Sequence, residues 1–333
     1  MISDAASTLS PDVLKMDADA ELQRITSRLR ELATKQFKRR GLVVGMSGGI
    51  DSSVVAALCV RALGPRRVLG LLMPERDSSS ETLELSGMLG EHLGIEMIHE
   101  DITPLLDAAG CYRRRDEAIR SVVPDFDVDC RSKIVLPSVV DSDSYRVFSV
   151  VVEHPDGRRT KTRLSPQAYL GIVAATNFKQ RIRKMLEYYH ADRLNYAVAG
   201  TPNRLEYDQG FFVKLGDGAA DVKPIAHLYK TQVYQLAEFL DVPQQIRCRP
   251  PTTDTYSLAQ SQEEFYFSLP YDKMDLCLWA RNHAVSAADA APALGLTAEQ
   301  VERVYRDIEQ KRATTRYLHL HPQLMEQIDE LHL

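Results

Sequence analysis

Several things are scarce or missing in this sequence, and each absence narrows what the chain can be. There is no Cys-x-x-Cys pair: Cys59, Cys111, Cys130, Cys248 and Cys277 are scattered, and the nine histidines make no metal-ligand spacing with them. A zinc site is therefore not expected, and reduced structural thiols are. Basic excess is missing too, because the formal charge is -5. The clusters Lys38-Arg39-Arg40, Arg113-Arg114-Arg115 and Arg158-Arg159 are short and read as solvated faces, so no nucleic-acid partner is expected. No apolar run approaches the roughly 20 residues of a membrane span. The polar first forty residues lack the apolar core and cleavage site of a signal peptide, and the expectation is a cytoplasmic protein without membrane contact.

What is present is ordinary in bulk and specific in pattern. With 333 residues, 44% hydrophobic and 26% charged, the chain can build a large core in one extended or two smaller domains. Apolar residues at helical spacing from Asp17 to Arg40 (Leu22, Ile25, Leu29, Leu32, Phe37) predict an amphipathic helix, so residues 1–40 read as an N-terminal helical segment. Strand-like "GLVVGM", "RRVLGLLMP" and "IEMIHEDI" then alternate with helix-like stretches, predicting an α/β fold on a doubly wound parallel sheet over about residues 41–270. The exception is "YRVFSVVVEHPDGRRTKTRL", where a Pro-Asp-Gly turn separates two alternating runs. That pattern predicts an inserted β-hairpin, at about residues 132–165. Residues 271–333 read as a mainly helical tail. There is no internal repeat.

The turn after the first strand carries the chemistry. Gly45-Met46-Ser47-Gly48-Gly49 fits a serine-hydrolase elbow in isolation, but such an elbow follows several strands, and here only a helix precedes the first one. No Gly-Lys-Ser/Thr closes a Walker A loop and no Gly-x-Gly-x-x-Gly is present. A strand, a Ser-Gly-Gly turn and a helix opening on Asp51-Ser52-Ser53 present backbone N–H groups at a positive helix end, which suits a multiply charged anion. Ser47, Ser52 and Ser53 add hydroxyl donors, and Asp51 beside phosphate makes sense as a Mg²⁺ ligand. An N-cap with solvated serines would explain Asp51 and Ser52 but not the paired glycines.

The stretch Ser47-Gly48-Gly49-Ile50-Asp51-Ser52 resembles the pyrophosphate loop of N-type ATP pyrophosphatases, which split ATP between its α- and β-phosphates. Four further stretches are similar to ammonia-dependent NAD synthetases: "NFKQRIRKM" from Asn177, "AGTPNRLEYDQGFFVKLGDGAAD", "PIAHLYKTQVYQLAEFLDVP" and "RPPTTDTYSLAQSQEE". The resemblance implies a Rossmann-like fold and an enzyme that uses ATP and Mg²⁺ to adenylate a carboxylate, most simply that of deamido-NAD, which ammonia then amidates. It further implies a homodimer. The stretch read here carries no glutaminase-like domain, so ammonia would be free or delivered by a separate glutaminase.

The resemblance assigns roles by position. Gly45, Ser47, Gly48, Gly49, Ser52 and Ser53 would hold pyrophosphate, with Thr201, Lys230 and Thr252 on ATP. Asp51 and Glu206 would hold Mg²⁺. Asn177, Arg181, Lys214, Asp217, Asp221 and Lys311 would bind the dinucleotide, and Asp51, Asp217, Asp221 and Lys230 would serve the chemistry, Asp217 or Asp221 by deprotonating ammonium. Outside this context most of these residues would pass for surface or capping positions. Three departures bear on the acceptor: the inserted hairpin, Thr253 in place of alanine, and Gln310 where the family has histidine. A paralogue amidating a different acid, or a non-catalytic nucleotide-binding module, are the other readings.

Overall fold

The computed structural model describes residues 9–139, 147–251, 255–326 and 328. Helix α1 (Ala18–Glu31), N-capped by Asp17 and continued by a wider turn over Leu32–Gln36, leads into β1 (Leu42–Met46) and α2 (Ile50–Leu63). β2 (Val68–Leu72), α3 (Ser80–Leu93) and β3 (Glu96–His99) follow, then α4 (Thr103–Ala108) and α5 (Cys111–Arg120). β4 (Arg131–Val135), β5 (Ser149–Glu153) and β6 (Arg159–Arg163) precede the long α6 (Pro166–Leu194) and β7 (Ala197–Ala199). The rest is helical: α7 (Arg204–Gln209), α8 (Lys230–Phe239), α9 (Gln244–Arg247), α10 (Tyr271–Asn282), α11 (Ala287–Leu294) and α12 (Ala298–His319).

The main sheet is parallel, in the order β3-β2-β1-β7. Both faces are covered, which is why β1, β2 and β7 read as continuous apolar runs, while the edge strand β3 leaves Glu96 and His99 exposed. Successive side chains alternate between two cores, as the pleat requires. Leu42, Val44 and Met46 of β1, with Ala197 and Ala199 of β7, pack towards α1, α2 and α8, while Val43, Leu69, Leu71 and Val198 pack towards α4, α5 and α6. From β1 the chain proceeds to β2 on one side, and only much later to β7 on the other. The strand order therefore reverses between β1 and β7, and such a switch point opens a crevice at the carboxyl ends of the strands.

The expected hairpin is β5–β6, turning at Pro155-Asp156-Gly157 with Gly157 at φ 83°. The structure adds a third strand, β4, paired antiparallel to β5. Its sequence, "RSKIV", alternates too weakly to read as a strand alone. Ile134, Val150 and Val152 anchor this small sheet on Ile119, Ala168 and Ile172 of α5 and α6.

The C-terminal helices are fastened to the main body. Asp275 of α10 is fully buried and accepts the backbone N–H groups of Lys230 and Thr231 at 3.1 and 2.6 Å. It thereby caps the start of α8 from outside that helix.

Candidate active site

A cleft of about 430 Å³ opens at the switch point, within the range typical of small-molecule sites. Its floor is the turn after β1. Gly48 sits there at φ 64°, and a side chain at that position would stand 3.0 Å from the Thr82 carbonyl oxygen and 3.3 Å from Arg249 Nη1. Gly49 begins α2, so the first N–H groups of that helix face the cleft. The serines brace the turn: Ser52 Oγ accepts from Ser47 N–H at 3.2 Å, lies 3.0 Å from Ser47 Oγ and donates to Gly49 O at 3.1 Å. Ser53 is fully buried and donates to the same carbonyl at 2.8 Å.

Above this floor three elements converge. Asp51, on the first turn of α2, accepts from Asn203 Nδ2 at 3.0 Å and makes a short ion pair with Lys230 at the start of α8. Asn203 also caps α7, accepting from Glu206 N–H, and the Glu206 carboxylate in turn accepts from Asn203 N–H at 3.1 Å. The other Glu206 oxygen accepts from Gln262 Nε2 at 3.1 Å. Burial would lower the Lys230 pKa, but Asp51 and Glu206 outweigh it and hold the ammonium firmly protonated.

Burial, reinforced by the charge of Asp51, pushes the Glu206 carboxyl up to about 8. A carboxylate whose pKa is raised on folding stabilises the fold while protonated, and that contribution is lost as pH rises through the folded value. We therefore expect the unfolding midpoint of chelator-treated protein to fall between about pH 5 and pH 8, a slope that Glu206→Gln flattens. Thermal scans in matched buffers check this, and an unchanged slope in the variant would contradict it.

Two carboxylates facing one cleft are also what a hard cation relieves. Among the described residues no group of three or more His, Cys, Asp or Glu could hold a metal ion by itself. That donor set fits Mg²⁺ in particular, which is typically held by one or two carboxylates together with substrate phosphates. Asp51 and Glu206 are the residues that would hold it.

Gly45, Ser47, Gly49, Asp51, Ser52, Asn177, Thr201, Glu206, Asp217 and Lys230 line the cleft. Gly48 and Ser53, part of the same turn and helix start, are not among the lining residues. Asp217, at the end of a tight turn, accepts from Val213 N–H at 2.7 Å, and burial raises its pKa. Thr252 and Thr253 lie outside the described residues. Arg181, Lys214, Asp221 and Lys311 do not line the cleft. Arg181 donates to the Lys214 carbonyl at 3.3 Å, and Lys214 reaches the carbonyls of Tyr317 and Leu320 at 2.9 and 3.3 Å, holding the end of α12. Asp221 accepts from Val198 N–H of β7 at 2.7 Å and from Tyr188 OH of α6 at 3.3 Å, so its two oxygens join β7 to α6. Lys311 donates to the Tyr266 carbonyl at 2.7 Å from behind the wall that Tyr266 forms.

Of the two candidates on α6, Asn177 lines the cleft and Arg181 does not. The side of α6 turned to the cleft carries Asn177, Gln180, Lys184 and Glu187, spaced three or four residues apart. Lys184 and Glu187 form a buried ion pair at 2.5 Å, with Glu187 so close to Gly45 that a methyl group there would stand 2.9 Å from its Oε1. That spacing was visible in the sequence, but the direction in which the helix turns was not. Arg249, which bonds Thr82 at 3.2 Å and pairs with Glu81 at 3.2 Å over the Gly48 turn, gave no sequence signal. Asn203 stood only inside the longer motif, where nothing separated its side chain from its neighbours.

The family model described as NAD synthase matches residues 21–131 and 153–316. An NH(3)-dependent NAD(+) synthetase from Rhizobium meliloti (strain 1021) is 59% identical over 322 residues, covering 97% of this chain and 96% of the relative. The chain belongs to the NAD synthase family. Among solved structures, NMN synthetase from Francisella tularensis superposes with a TM-score of 0.63 at 23% identity, over 93% of this chain and 100% of that one. The NH3-dependent NAD synthetase from Campylobacter jejuni gives 0.61 at 24%, over 94% and 100%. Both share the fold. The interval that the NAD synthase match leaves out, residues 132–152, covers β4 beyond Arg131 and nearly all of β5, whereas the Pro-Asp-Gly turn and β6 fall inside the match.

Proposed function

We propose that this NAD synthase family member is an ammonia-dependent ligase that converts deamido-NAD, ATP and ammonia into NAD, AMP and pyrophosphate. The observation that carries the reading is the meeting of Asp51, Glu206 and Lys230, from three elements distant in sequence, over a Ser-Gly-Gly turn at a helix N-terminus. In the first step the carboxylate oxygen of deamido-NAD attacks the α-phosphorus of ATP and the bond to the β-phosphate oxygen breaks. The turn, the start of α2 and Lys230 stabilise the charge on the departing pyrophosphate. Mg²⁺ held by Asp51 and Glu206 would supply further neutralisation of phosphate charge. In the second step ammonia attacks the acyl carbon of the adenylate and AMP leaves. Asp217, in the cleft and held above the usual carboxylate range, accepts the proton that ammonium gives up.

No protein nucleophile is needed, in keeping with a cleft that holds no cysteine or histidine among its lining residues. The reading includes a cytoplasmic setting, consistent with five free cysteines, and a homodimer, for which Leu170, Met185 and Tyr189 offer exposed apolar surface on α6. No helix among the described residues is long and apolar enough to cross a membrane. The test is purified protein with ATP, Mg²⁺ and ammonium, followed for AMP with and without deamido-NAD. Stoichiometric AMP and NAD are expected. AMP formed with a different acid but not with deamido-NAD would overturn the acceptor, and absence of pyrophosphate exchange with any acid would overturn the enzyme reading.

A further inference from the structure

The stretch that the NAD synthase match omits is built into the cleft. Phe148, just ahead of β5, lines the cleft and stacks on Tyr169 of α6 with ring centroids 4.2 Å apart and planes 15° from parallel. Tyr169, Val173, Thr176 and Gln180 lie along the α6 face turned to the cleft, so the ring pair stands beside side-chain amide and hydroxyl groups.

The inserted sheet is also tied to the loop at residues 256–262 that borders the same side of the cleft. Ser132 N–H donates to Ser257 Oγ at 2.9 Å, Leu258 N–H to Ser132 O at 3.2 Å and Gln260 Nε2 to Ile134 O at 2.6 Å. These bonds flank Tyr256 and Gln262, which line the cleft, and Tyr256 shares one apolar cluster with Ile134, Val150 and Phe148. A surface decoration needs neither a ring in the wall nor bonds to a neighbouring cleft-lining loop.

We propose that the Phe148–Tyr169 pair is a stacking platform for a planar nitrogen heterocycle of one of the two nucleotide substrates, making Phe148 a specificity-determining residue supplied by the insertion. The ring pair is half-buried, offers a flat apolar face and opens on a cleft whose floor is a Ser-Gly-Gly turn at a helix N-terminus, a combination that suits a base joined to phosphate. The proposal rests on the reading above for the identity of the two nucleotides, ATP and deamido-NAD.

Two variants test it. Phe148→Leu keeps apolar bulk and removes the ring, whereas Phe148→Tyr keeps the ring. The expected result is a KM about tenfold or more higher for one nucleotide in the leucine variant, with kcat within about twofold and the other KM unchanged. Tyrosine should restore that KM to within about threefold of wild type. Which KM moves tells adenine of ATP from the rings of the dinucleotide. Unchanged KM values in Phe148→Leu, equal losses for both nucleotides, or tyrosine no better than leucine would each overturn the platform. Calorimetric titration of ATP and of deamido-NAD into the same proteins keeps the two claims apart: wild-type protein inactive with deamido-NAD defeats the proposed reaction, while the leucine-tyrosine contrast in binding still decides the platform.

Discussion

Replacing Lys230 with methionine is expected to lower ATP-dependent turnover by about three orders of magnitude and to destabilise the fold at the same time. The ammonium is almost fully buried, with 3% of its side chain exposed against 16% for Asp51. Removing one member of a buried pair leaves the other charge without its partner, at a cost of about 3–5 kcal/mol. Asp51 would retain only Asn203, and Glu206 would lose the nearest positive charge opposing it. The signature of this mechanism is a double-mutant cycle. Lys230→Met combined with Asp51→Asn should be more stable to urea than Lys230→Met alone, because the second change removes the stranded charge. If the two losses simply add, the pair is not what holds α2 against α8. Turnover should stay low in both proteins, since neither restores the cation facing the phosphate turn.

Asp217→Asn should separate the two halves of the reaction. The asparagine carbonyl can still accept the Val213 N–H, so the turn that positions residue 217 is preserved. An amide cannot take a proton from ammonium. Amidation should therefore fall by about 10²- to 10⁴-fold, the usual contribution of a positioned proton acceptor. Pyrophosphate exchange with deamido-NAD, which needs only adenylation, should remain within a few-fold of wild type. Unchanged turnover at saturating ammonium would remove Asp217 from this role. Asp221 provides the control, because its two oxygens hold Val198 N–H and Tyr188 OH. Its replacement should register in thermal stability more than in the ratio of the two half-reactions.

How far the site could be read in advance depended on the range of the interactions. The Ser-Gly-Gly turn was legible because it is local: a strand, two glycines and a helix start lie within a few residues, and backbone geometry there is set by those residues. Glu206 and Lys230 were legible only through the longer motif. Arg181, Lys214 and Lys311 sat in matching stretches too, yet their side chains go to carbonyl groups outside the cleft or behind its wall. One turn of helix separates Arg181 from Asn177, but rotation of α6 brings Gln180, Lys184 and Glu187 inward instead.

By itself, the sequence determined the parallel α/β fold, through apolar runs alternating with helices, and the tight Ser-Gly-Gly turn after the first strand, through its glycines. Only the tertiary structure decided what meets that turn. The reversal of strand order between β1 and β7 brings residues 51, 206 and 230 to one crevice. Packing of the inserted sheet on α5 and α6 turns an unmatched stretch into part of the wall. The physical reason is that strand and helix periodicity are encoded locally, while the contacts made by a particular side chain depend on how elements rotate and dock.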